Sequence, residues 1–68
     1  ENMLSARNQF KGIVKSVTLG GVMAEVVITV GPLEFVSAIT RTSAESLELK
    51  AGDEVRAVVK STEVLIDK

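Results

Sequence analysis

A small all-β barrel with one short helix is the fold class this chain predicts, on three observations. Apolar residues alternate along residues 22–30, glycine-bearing turns punctuate the chain at Gly20-Gly21, Gly31-Pro32 and Gly52, and only one stretch, around Thr42, has a helix-capping pattern. The alternation is the strongest of the three. Val22, Ala24, Val26, Ile28 and Val30 fall on one side, while Met23, Glu25, Val27 and Thr29 on the other are mixed. A period of two places that first set on one buried sheet face.

The remaining elements follow in order. Residues 10–19 are rich in β-branched side chains and form a hairpin with the second strand across Gly20-Gly21. Gly12 inside that first strand marks a bulge or a sharp bend of the kind barrels use at corners. After Gly31-Pro32 a third strand runs over residues 33–40. Leu33, Phe35 and Ile39 lie on one face and Val36 and Ala38 on the other, which predicts cover on both sides. Thr42-Ser43-Ala44-Glu45 reads as a capping box, in which the Thr hydroxyl accepts from the third amide, and it opens a helix over residues 43–48. A turn at Ala51-Gly52-Asp53 leads to a fourth strand over residues 54–59. Lys60-Ser61-Thr62 interrupts the pattern, and residues 64–66 read as a short fifth strand. Five strands with a helix between the third and fourth describe a five-stranded OB-like Greek-key barrel. No repeat or linker divides residues 4–67, so they read as a single domain. Residues 1–3, with Glu1-Asn2 ahead of Met3, read as an added remnant or an unstructured lead.

Composition narrows function. The chain has 68 residues and 46% of them are apolar, more than so short a core can use, which predicts a homo-oligomer. It lacks cysteine and histidine, the usual sources of zinc ligands and general bases, so neither a transition-metal cation site nor an enzyme is expected. Eight Lys and Arg against nine Asp and Glu leave a net charge of −1, and the only aromatics are two Phe. A nucleic-acid barrel needs a basic face and stacking platforms, so that class is disfavoured. The apolar runs are too short for a membrane span, which makes a cytoplasmic protein the expectation.

Three segments can grip an anion. In extended chain Ser5 and Arg7 share a side, pairing a hydroxyl with a guanidinium. At Lys60-Ser61 the strand pattern breaks and exposes consecutive amides. Thr40 to Ser43 leads into the helix, where donors are free. Each has a second reading from the residues alone: a solvated terminus for Ser5 and Arg7, an edge charge for Lys60, helix capping for the threonines and Ser43.

The order of these segments resembles a known family. Ser5-Ala6-Arg7-Asn8-Gln9-Phe10-Lys11-Gly12 is similar to the opening of the molbindins. Ala24-Glu25-Val26, Ser37-Ala38-Ile39-Thr40, the run from Leu47 to Val55 and the run from Val58 to Val64 agree with it in order and spacing. The resemblance covers about Leu4 to Ile66. It implies an OB-type barrel, a hexamer built as a trimer of dimers, and molybdate or tungstate held between subunits for storage or homeostasis. The same module occurs in molybdate-sensing regulators and transporter ATPases, so an oxyanion-sensing module that docks on a protein partner is the alternative. Carried over, Ser5 and Arg7 match side-chain ligands and Ala6 a backbone donor, while Thr40, Ser43, Lys60 and Ser61 match the other donors. Gly20, Gly21 and Val22 fall where the family has a second kind of oxyanion site. No organic cofactor, nucleic acid or membrane is implied. One departure is Glu48, which stands where a glycine is common between the two leucines and bears on the helix end.

Overall fold

A computed structural model describes residues 7–68. The residues assigned to the N-terminal lead, together with Ser5 and Ala6, therefore lie outside the described residues. Four strands form one antiparallel sheet: β1 (Asn8–Leu19), β2 (Met23–Val30), β3 (Leu33–Thr40) and β4 (Glu54–Val59), in the order β3-β2-β1-β4. A helix, α1 (Arg41–Ser46), joins β3 to β4, and a 3₁₀ turn at Ser61–Glu63 follows β4. This is the all-β, OB-like arrangement with a helix between the third and fourth strands. No helix among the described residues is long and apolar enough to cross a membrane.

The long first strand organises the sheet. From Asn8 to Ile13 it pairs with β4, and from Ile13 to Leu19 with β2. Gly12 sits at this change of partner. A Cβ there would lie 2.6 Å from the Thr29 carbonyl oxygen and 2.8 Å from methyl carbons of Ile28 and Val30. The predicted irregularity is thus two adjacent features. Gly12 provides a close approach, and the β1–β2 register shifts between Val14 and Ser16. The Val14 amide and carbonyl turn to the 50–53 loop instead, donating to the Asp53 carbonyl (2.9 Å) and accepting from the Gly52 amide (2.8 Å).

The alternation in β2 holds where the strand is paired: Ala24, Val26 and Ile28 are buried, and with Val14 and Ala57 most of them make the centre of the core. Phe35, Ile39, Leu49 and Val55 pack around it, and the Phe10 and Phe35 rings stack at 5.2 Å. Val22 is exposed because it belongs to the turn that precedes the strand.

Three expectations need correction. The second face of β3 is not covered within the chain: Val36 is exposed there, and Leu33 is exposed at the strand's start. The fifth strand does not form. The 3₁₀ turn takes the chain off β4, and Val64 continues extended but outside the sheet, leaving Leu65 91% and Ile66 88% exposed. The helix begins two residues earlier than predicted, at Arg41, because Thr40 rather than Thr42 caps it. Thr40 ends β3 with extended backbone, as an N-cap requires, and its hydroxyl oxygen accepts from the Ser43 amide at 3.1 Å. At the other end the Glu48 amide donates to the Glu45 carbonyl and the Leu49 amide to the Ala44 carbonyl. That pair of bonds is the Schellman closure, which needs a left-handed residue at its bend. Glu48 fills it with φ of 53°, so the departure from glycine carries strain.

Two substitutions test these constraints in urea unfolding. Gly12→Ala forces overlap with backbone and is expected to cost about 1–3 kcal/mol, lowering the midpoint without changing the slope. Glu48→Gly relieves the left-handed strain, partly offset by the freer unfolded chain, for a net gain of about 0.5 kcal/mol. The β-branched Glu48→Val is expected to lower the midpoint instead.

Candidate functional site

The predicted donors that lie among the described residues gather in two groups, one at each end of β1. Around its entry stand Arg7, Lys60 and Ser61. Arg7 directly precedes β1, and Lys60 directly follows β4. The last rung between those strands pairs Asn8 with Val59, closed further by the Asn8 side-chain amide donating to the Val59 carbonyl at 3.2 Å. Arg7 and Lys60, from opposite ends of the sequence, therefore flank one rung. Both are exposed, and among the described residues neither is in an ion pair. A cation without a carboxylate partner keeps its donors for another anion. Ser61 is the first residue of the 3₁₀ turn and is exposed beside Lys60.

The second group stands where β1 ends. The Gly20-Gly21-Val22 turn leads into β2, and Thr40 pairs with Met23 on the neighbouring strand. The turn is closed by the Gly20 amide donating to the Met23 carbonyl at 2.7 Å. Arg41 joins the turn to the helix. Its amide donates to the Val22 carbonyl at 2.7 Å, its Nη1 to the Gly20 carbonyl at 2.9 Å, and its Nε to the Glu45 carboxylate at 3.0 Å. Thr40 and Ser43 bond to each other: besides capping the Ser43 amide, the Thr40 hydroxyl donates to Ser43 Oγ at 2.8 Å. The Thr40 proton is thus spent on Ser43 Oγ, whereas the Ser43 hydroxyl accepts that bond and retains a proton of its own.

The family resemblance puts Thr40 and Ser43 in one donor set with Arg7, Lys60 and Ser61, and the Gly20-Gly21-Val22 turn in a second site. The chain separates the two groups by the twelve residues of β1, and no hydrogen bond among the described residues links them. Sequence reasoning passed over Arg41. Only the i,i+4 spacing to Glu45 was visible along the chain, and the bond to Gly20 spans 21 residues of sequence. A surface depression lies elsewhere, along β1 and β4, where Lys11, Ile13, Arg56 and Val58 line it and, among the described residues, no predicted donor borders it. A four-oxygen anion needs convergent donors rather than a wide apolar cleft, so the strand ends are the better candidates.

Comparisons with known proteins agree with this architecture. The model of the TOBE domain matches residues 4–66. Molybdenum-pterin-binding protein 2 of Clostridium pasteurianum is 48% identical over 64 residues, which cover 93% of this chain and 94% of that protein. The molybdenum transport protein ModE of Azotobacter vinelandii is 51% identical over 63 residues, 91% of this chain, but the chain spans only 23% of ModE. A molybdate-binding protein from Sporomusa ovata superposes with a TM-score of 0.92 at 42% identity, covering 96% of this chain and 97% of that one. The cytoplasmic molybdate-binding protein ModG, in a form with molybdate bound, superposes at 0.82 with 49% identity, covering 85% of this chain and 42% of that one. The chain belongs to the TOBE domain family and, within it, to the molbindins.

The capping assignment has its own test. Thr40→Ala is expected to cost about 1 kcal/mol of stability, and Thr42→Ala to stay within about 0.5 kcal/mol, read from paired thermal melts. Equal losses at both positions would mean that Thr40 is not the dominant cap.

Proposed function

We propose that an oligomer of this chain binds molybdate or tungstate at interfaces between its subunits and serves in intracellular storage or homeostasis of the oxyanion. The observation that carries the reading is the meeting of Arg7 and Lys60 beside the Asn8–Val59 rung, two cations without carboxylate partners among the described residues. Ser5 and Ala6, adjacent in sequence to Arg7, extend the donor set, as does Ser61. Molybdate and tungstate are fully deprotonated dianions at neutral pH. A pocket made of guanidinium, ammonium, hydroxyls and amides offers them donors throughout. Hydrogen phosphate keeps a proton that needs an acceptor, so a donor-only pocket penalises it.

Thr40 and Ser43 join that pocket only if a second subunit brings them there, because within one chain they stand at the other end of β1. The exposed surface supports such assembly. The chain has 5472 Å² of accessible surface, against roughly 4,100 Å² expected for a compact monomer of its mass. Much of the excess is apolar: Val22, Val36, Leu47, Leu65 and Ile66 are each at least 65% exposed. A hexamer built as a trimer of dimers is the arrangement we propose. The molybdenum-pterin-binding and molybdate-binding relatives are named for binding, and ModG is described as cytoplasmic, which supports a binding protein of that compartment. A sensing or docking module of the same fold is the second reading, favoured by the chain's correspondence to about a quarter of ModE.

Calorimetric titration of the assembled protein with molybdate tests the proposal. A mass well above 7.2 kDa by light scattering and saturable molybdate binding are expected. A charged hydrogen bond is worth roughly 1.5–3 kcal/mol, so Lys60→Ala should weaken binding by about one to two powers of ten. Arg7→Lys should also weaken it, since an ammonium cannot reproduce the guanidinium fork. Undiminished affinity in an assembled Lys60→Ala protein would make Lys60 a solvated edge charge and remove the reading's main support.

A further inference from the structure

We propose that Arg41 is a positioning residue that fixes which way the Gly20–Gly21 peptide faces, and thereby makes the 20–22 turn a donor rather than an acceptor toward an oxyanion. The inference rests on the reading of that turn as an oxyanion contact. Its physical basis is local. A trans peptide is planar, with its carbonyl oxygen and its N–H on opposite sides. Arg41 Nη1 holds the Gly20 oxygen at 2.9 Å, so the Gly21 N–H is turned away from the guanidinium. The Arg41 amide holds the Val22 oxygen at 2.7 Å, which fixes the 22–23 peptide at the other end of the turn. Two of the turn's three carbonyls, those of Gly20 and Val22, are thus occupied by one residue. Among the described residues, the Gly21 and Val22 amides have no protein partner.

The lock matters because the sequence around it is loose. A peptide between two glycines meets little steric resistance to flipping, and around Gly21 there is open space, with no atom of the described residues beyond its chain neighbours within 4 Å of where a Cβ would stand. The Gly20 amide bond to the Met23 carbonyl anchors one side of the turn but leaves the 20–21 peptide plane to Arg41. Glu45, at 3.0 Å from Nε, orients the guanidinium and offsets its charge, so Arg41 acts through the turn more than by its own field. Without Arg41 the peptide can present its oxygen where the amide had been. That change would weaken a fully deprotonated anion and favour one that brings a proton.

The test uses the intact protein and its Arg41→Leu and Arg41→Lys variants, each first shown by circular dichroism and light scattering to be folded and assembled. Molybdate is titrated while amide resonances are followed by NMR, and phosphate is titrated in parallel. In the wild type the Gly21 and Val22 amides are expected to shift with molybdate. In Arg41→Leu their response should move to at least tenfold higher molybdate, with the molybdate-to-phosphate preference at the turn narrowed by a similar factor. Resonances beside Lys60 should titrate within twofold of wild type. Arg41→Lys should recover part of the loss, because an ammonium can still hold one carbonyl. Wild-type turn response and anion preference in Arg41→Leu would overturn the inference while leaving molybdate binding standing. A wild-type protein that binds no molybdate would instead overturn the reading beneath it.

Discussion

Almost everything in this molecule depends on one strand serving two partners. β1 gives its first half to β4 and its second half to β2, and it can do so because Gly12 lets its backbone come against Thr29 with no side chain between them. Any Cβ at that position would push the β2 end away and open the corner. Just beyond it, the register shift at Val14 frees the two backbone groups that the 50–53 loop then occupies. The bend, the bulge and the loop are therefore one cooperative device. They close the core around Val14, Val26, Ile28 and Ala57 with few residues. They also leave the two ends of β1 as separate places.

Much of the fold was legible along the chain. Strand periodicity in residues 22–30, the Gly31-Pro32 turn and the break at Lys60 each come from local chemistry that a short window contains. The errors share a cause. Thr40 and Thr42 are equally good caps by type, and Thr40 acts as one because β3 delivers it in extended conformation beside the helix start. The 64–66 segment has strand composition, yet a strand also needs a neighbour, and within the chain the 3₁₀ turn gives it none. Val36 and Leu33 misled in the same way: their apolarity was read as burial within the chain, where they are exposed.

For the candidate site, residue type was legible and placement was not. Family resemblance brought Arg7 and Lys60 into one list, and the Asn8–Val59 rung gives their proximity a structural reason. Nothing local could have revealed that Thr40 and Ser43 belong to the opposite end of β1. Arg41 was hidden more thoroughly. Along the sequence it is a helix residue four before Glu45, and its link to Gly20 exists only after β2 and β3 have paired.

That the candidate donors lie at strand ends follows from how a sheet uses its backbone. Inside a ladder every inward amide and carbonyl is already spent on a neighbour, so a strand interior has only side chains to offer a ligand. At a strand end the ladder stops and amides become available, but so do carbonyls, which repel an anion. A site for a dianion must therefore do two things at once: keep amides free and occupy the carbonyls beside them. At the entry of β1, the Asn8 side chain takes the Val59 carbonyl immediately before Lys60. At its exit, Arg41 takes the carbonyls of Gly20 and Val22. Different residues at the two ends thus claim carbonyls beside the candidate donors. The polarity of each end is set less by its net charge than by which half of each peptide has been claimed.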